Sequence, residues 1–175
     1  MSNELKTVIR QSEYDVIGND DERDDKYETI INDYINKPFN EQPLMFGVDL
    51  RGSVIRTLMN GTHETAPTIE HANSLIIRLM GSMMSRFTAM ENAHTDDIHN
   101  IEPDIRNVII FVDNINDVRT DDTILRGLRC IRKIGPQAGY HVYIGFNDDN
   151  DYDDFINDRI QVNNSDNNDD TMITL

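Results

Sequence analysis

The sequence predicts a three-layer α/β domain with a mainly parallel central sheet, and three observations carry that prediction. Apolar runs of strand length alternate along the chain with segments of helical periodicity. One run, residues 105–113 (IRNVIIFVD), is too uniformly apolar to be half exposed, so it belongs inside a sheet covered on both faces. The order strand, helix, strand, helix, strand, helix, strand builds repeated βαβ units, whose crossovers make neighbouring strands parallel.

Residues 5–18 (LKTVIRQSEYDVIG) hold two short β-type clusters, around 7–9 and 14–17, separated by a polar turn. The run GNDDERDD that follows reads as a solvated loop. Residues 26–37 space Tyr27, Ile30, Ile31, Tyr34 and Ile35 at helical intervals, and Pro38 stops that helix. Residues 44–50 (LMFGVDL) form a buried-type strand that reaches Asp49 and leads into Arg51-Gly52. The clearest helix spans residues 67–92, with Ile69, Ala72, Leu75, Ile76, Leu79, Met80, Met83, Met84, Phe87 and Met90 expected on one stripe and Thr65 or Thr68 as N-cap. After the strand at 105–113 comes a helix at 123–134, broken at Gly135-Pro136, then a strand at 141–146 and a last short one at 159–162. Residues 163–170 are rich in Asn and Asp and are expected to be disordered. The expected organisation is one domain over residues 1–162 and an acidic tail over 163–175.

Composition removes several function classes. With 175 residues the chain has room for one domain of ordinary size. Cys130 is the only cysteine, which excludes an intramolecular disulfide and a Cys-based zinc site. No apolar run approaches the roughly 20 residues of a membrane span, and MSNELKTVIRQ has no hydrophobic signal core, so a cytoplasmic location is expected. The net charge of −16 is concentrated at the ends: residues 1–42 carry 11 acidic and 5 basic side chains, 43–143 carry 12 and 10, and 144–175 carry 9 and 1. Binding a duplex means neutralising phosphates with Lys and Arg, so direct DNA binding by the monomer is not expected.

In a parallel sheet, ligands sit beyond the carboxyl ends of the strands, and the residues leaving those strands carry a recognisable pattern. SMMSRFTAMENAHTDDIHNI resembles the signature helix and following turn of the FtsK/SpoIIIE translocase domain. IRNVIIFVDN is similar to that family's Walker B strand, and GPQAGYHVYIGFND to the unit whose strand ends at a polar sensor. The likeness keeps the order of these pieces, covers roughly residues 15–162, and is most specific over 61–146. It implies a RecA-like P-loop NTPase fold.

The resemblance also implies four places where ATP chemistry should reside, and this sequence departs from the family at each. The phosphate loop should be glycine-rich, with Lys for the β- and γ-phosphates and Ser or Thr for Mg²⁺. Here GNDDERDDKYET offers Gly18 and Lys26 as the degenerate equivalents, with Tyr27 at the hydroxyl position and Asp20, Asp21, Glu22, Asp24 and Asp25 crowding the phosphate. Asp113 keeps the Walker B carboxylate, but Asn114 stands where a Glu should polarise water, and a neutral amide accepts no proton at neutral pH. Asn147 replaces the sensor Gln, followed by Asp148 in place of Arg, and Pro136 occupies a family arginine position.

No other constellation competes. His94 and His99, with Asp96 and Asp97, put no two histidines on one helical face, and residues 147–158 lack the Gly and terminal Glu of a calcium loop and read as solvated charge. The expected function is therefore that of a degenerate translocase domain, a non-hydrolysing interaction or regulatory partner of a DNA-translocation or secretion motor. Its partner is a protein, either an active FtsK-like ATPase or a second copy, and no cofactor is expected. Two alternatives carry different requirements: a translocase component with a noncanonical site would need ATP and Mg²⁺, and an acidic inhibitor imitating nucleic acid would need a basic target.

Overall fold

The computed structural model describes residues 14–59 and 61–157, so the β-type cluster at 7–9, the strand at 159–162 and the tail at 163–175 lie outside the described residues. Five parallel strands form one sheet in the order β1-β5-β4-β2-β3: β1 (Asp15–Ile17), β2 (Leu44–Val48), β3 (Glu64–Ala66), β4 (Val108–Val112) and β5 (Tyr140–Phe146). The helices are α1 (Asp20–Ile35), α2 (Val54–Met59), α3 (Ile69–Asn92), α4 (Asp122–Ile134) and α5 (Asp149–Ile156).

The alternation along β4 creates the three layers. All five of its residues are buried; Val108, Ile110 and Val112 join the core under α3, α4 and α5, while Ile109 and Phe111 join the core under α1 and α2. That double burial is what the unbroken apolar run encodes. Beneath α1 and α2 the core is aromatic: Tyr27 meets Phe111 edge-on at 6.0 Å, and Phe111 stacks on Tyr143 at 5.3 Å. Among the described residues no helix is long and apolar enough to cross a membrane.

Two acidic segments read as solvated charge are helical. α1 begins at Asp20 rather than Lys26, because the Asn19 side chain accepts from the Glu22 amide at 3.0 Å and Asp20, Asp21 and Glu22 lie against the positive end of the helix dipole. α5 forms because Asp148 caps the amides of Asn150 and Asp151, and Tyr152 and Phe155 pack on Phe146 with centroids 5.0 and 5.7 Å away. Three residues apart, those two rings share one face and leave the aspartates to the other sides. The short β3 and α2 have no counterpart in the sequence reading, since runs of three and six residues are too brief to show a period. Thr68 caps α3, accepting from the His71 amide at 3.2 Å.

Candidate functional site

The carboxyl ends of β1, β5, β4 and β2 converge on one edge of the sheet, and Gly18, Asn147, Asp113, Asn114 and Asp49 are the residues that leave them. Between β1 and α1 there are only two residues, Gly18 and Asn19. Gly18 adopts φ +153°, and a Cβ there would fall 2.3 Å from the Glu22 carboxylate, so this turn accepts only glycine. Its amide continues the ladder, donating to the Phe146 carbonyl at 3.1 Å.

The space below the turn is filled by Arg23, which is 1% exposed. Its guanidinium donates to the Gly18 carbonyl at 2.7 Å, to Asn147 Oδ1 at 2.8 Å and more weakly to the Phe146 carbonyl at 3.4 Å, and it is paired with Asp20. Asn114 Nδ2 donates to the same Asn147 oxygen at 2.8 Å, which ties the end of β4 into the group. Asn147, Asn114 and Gly18 are thus brought together around a residue that the sequence reading left in a solvated loop. The signal was present: Arg23, Tyr27 and Ile31 are spaced by four, and extending the helical stripe back one turn places Arg23 on the buried face. Gly145 is the second missed residue. A Cβ on it would lie 1.9 Å from the Asp113 carbonyl and 3.1 Å from Arg23 Cδ, so the absence of a side chain there makes room for the arginine.

Lys26 is not part of this group. It is exposed on α1, and its ammonium reaches the Ile17 carbonyl at 3.3 Å. Tyr27 is fully buried, with its hydroxyl donating to the Val112 carbonyl at 2.7 Å; burial, followed by the Asp113 charge, holds its pKa well above the usual tyrosine range.

Asp113 is 4% exposed and borders a cleft of about 140 Å³ with Asp20, Asp24, Arg51, Gly52 and Ser53. Burial pushes its pKa up to about 6, and the Asp49 carboxylate at the end of the next strand adds to the rise, while a hydrogen bond with Ser53 and the Arg23 charge oppose it. Asp49 is fully buried and accepts from Gly52 N, Ser53 Oγ and Arg56 N at 2.9 to 3.0 Å. Arg51 crosses the mouth, held by Asp117 at 2.8 Å with Asp20 at 3.6 Å. A cavity of about 780 Å³ lies at the opposite, amino edge of the sheet beside Tyr34, Lys37, Gln42, His99, Arg106 and Asn107, away from the strand-end residues singled out in the sequence.

No protein-family model matches the sequence, and no curated protein matches it. Solved structures do. The conjugation coupling protein TcpA of pCW3, solved as a monomer with ATPγS, superposes with TM-score 0.64 at 9% identity, over 83% of this chain and 46% of that one. EssC (ATPases 2 and 3) from Geobacillus thermodenitrificans gives 0.65 at 11% identity, over 83% and 30%. EccC (ATPases 2 and 3) from Thermomonospora curvata, in complex with a signal sequence peptide, gives 0.56 at 18% identity, over 77% and 24%. These are ATPase domains of the FtsK/SpoIIIE type, and this chain shares their fold while spanning less than half the length of each.

Proposed function

We propose that the chain is a degenerate FtsK/SpoIIIE-like translocase domain that hydrolyses no ATP and serves as an interaction or regulatory partner of a DNA-translocation or secretion motor. The observation that carries this reading is the polarity of the strand-end cleft. A phosphate needs amide and ammonium donors. Here the Gly18 amide is committed to Phe146, Asn19 caps α1, and Asp20, Asp24 and Asp113 line what space remains together with Arg51, whose charge is already met by Asp117 and Asp20. A cleft of about 140 Å³ is also small beside the roughly 300 Å³ or more of typical ligand pockets. Asn114, which cannot take a proton from water, is already spent on Asn147 and on capping the turn that begins at Ile115. Neither ATP nor Mg²⁺ is expected as a cofactor.

The structural neighbours include a conjugation coupling protein and the type VII secretion ATPase EccC, which supports a partner within a machine of that kind. A protein surface rather than DNA is the expected target, given the acidic ends of the chain. Titration calorimetry with millimolar MgATP tests the reading. It should give no binding heat; micromolar binding abolished in Asp113→Ala would replace the reading with that of a nucleotide-dependent motor component.

A further inference from the structure

The outward side of α3 carries two large apolar side chains that stand half out in solvent. Ile77 is 54% and Met84 48% exposed, two turns apart on one face, while Leu75, Ile76, Leu79 and Met83 supply the buried side of the helix. Met84, expected on the core stripe, lies a quarter-turn beyond Met83 and so faces outward. Gly81 sits between the two. A glycine inside a helix weakens it relative to alanine, so its place needs a reason. Gly127 on α4 has one, because a Cβ there would fall 2.3 Å from Ile76 Cγ2; a Cβ at Gly81 would meet nothing of this chain within 4 Å. The face is also poor in negative charge. Residues 71–90 contain no Asp or Glu in a chain with 32 of them and a net charge of −16, and Glu70 and Glu91 bound the stretch at either end. Arg78, which flanks the face, pairs with Glu64 at 2.5 Å.

We infer that this face of α3 docks on its own counterpart in a second copy of the chain, the two helices crossing at Gly81 about a two-fold axis. The inference deepens the reading above by naming the second copy as the protein partner, and rests on it only in giving the chain an interaction role. The occupant follows from charge and spacing. A second copy brings the same excess of carboxylates, so it approaches closely only where both surfaces lack them. Ile77 and Met84 stand on either side of Gly81, and a two-fold there sets Ile77 of each copy against Met84 of the other, the self-matching an isologous pair requires. Without a Cβ at the crossing, the backbones reach the short end of the roughly 8–10 Å range of packed helices. An inclined crossing of about 50° splays the ends, which keeps Glu70 of one copy off Glu91 of the other. One helix pair buries less than a standard interface of about 1,600 Å², so the dimer is weak.

Sedimentation equilibrium between about 5 and 500 µM protein tests it. The chain should pass reversibly from monomer to dimer, and association should tighten as sodium chloride rises from about 0.05 to 0.5 M, since screening relieves the repulsion between two acidic molecules. Ile77→Asp combined with Met84→Asp should stay monomeric at every concentration while folding as the parent does. Gly81→Gln should raise Tm through helix propensity and weaken association at least about tenfold, a split that a purely structural role for Gly81 would not give. A monomer throughout, a dimer that these variants retain, or one that loosens with salt overturns the inference. Should the variants fail to fold, NMR of the unaltered protein decides: the Ile77 and Met84 methyl signals should move with concentration, and movement confined to other residues, or none, refutes the face. A dimer that bound MgATP would keep this inference and remove the pseudo-ATPase reading; a monomer that bound none would do the reverse.

Discussion

Asp113 illustrates what a buried strand-end carboxylate costs when a second one stands beside it. Its folded pKa of about 6 stands above the unfolded value of 3.8, so the native state binds its proton more tightly. Stability therefore falls as pH rises from about 4 to about 6 and stays reduced above that. Discounting for solvent at the cleft mouth, the penalty at neutral pH is on the order of 1–2 kcal/mol. Asp113→Asn should be more stable than the parent at pH 7.5 and indistinguishable from it below pH 4, measured by urea unfolding at both pH values. A variant equally destabilised at both would mean that Asp113 makes a contact an amide cannot replace. The identity of this residue was legible from the strand it ends, but its partner was not. Asp49 lies 64 positions away in sequence, and only the in-register pairing of Val48 with Val112 brings the two carboxylates together.

At the scale of the element, α1 is held by the hydroxyl of Tyr27 as well as by its apolar stripe. Tyr27→Phe removes one buried hydrogen bond to Val112 and should cost about 1 kcal/mol. Tyr27→Ser, which restores the residue type expected of a phosphate loop, should cost about 3–5 kcal/mol because it empties a fully buried ring position. Thermal unfolding of both variants checks the ranking; a Tyr27→Ser protein as stable as Tyr27→Phe would mean that the loop can still rearrange toward the family form. The long α3 was readable because its helical period repeats, and β2 and β4 because each is a compact apolar run. The starts of α1 and α5 were not, because capping by Asn19 and Asp148 turns a run of carboxylates from a sign of solvation into a favourable first turn.

For the whole molecule, a net charge of −16 opposes compaction. Screening shortens from about 30 Å at 0.01 M salt to about 8 Å at 0.15 M. Tm should rise over that range and then flatten. A fall instead would mean that local pairs such as Arg132 with Asp15 and Arg51 with Asp117 outweigh the general repulsion.

The placement of β1 also sets the order in which the chain can be completed. Among the described residues Asp15, Val16 and Ile17 pair with Ile144, Gly145 and Phe146, and two of Arg23's acceptors, Phe146 and Asn147, lie 123 and 124 residues further on. On the ribosome, β1 is therefore made well before β5 and waits for it to complete its pairing. At about 10 residues per second that interval is on the order of ten seconds, during which Val16 and Arg23 lack the β5 and Asn147 partners they have in the folded chain. A chain built this way can close its sheet at β1 only after β5 has emerged.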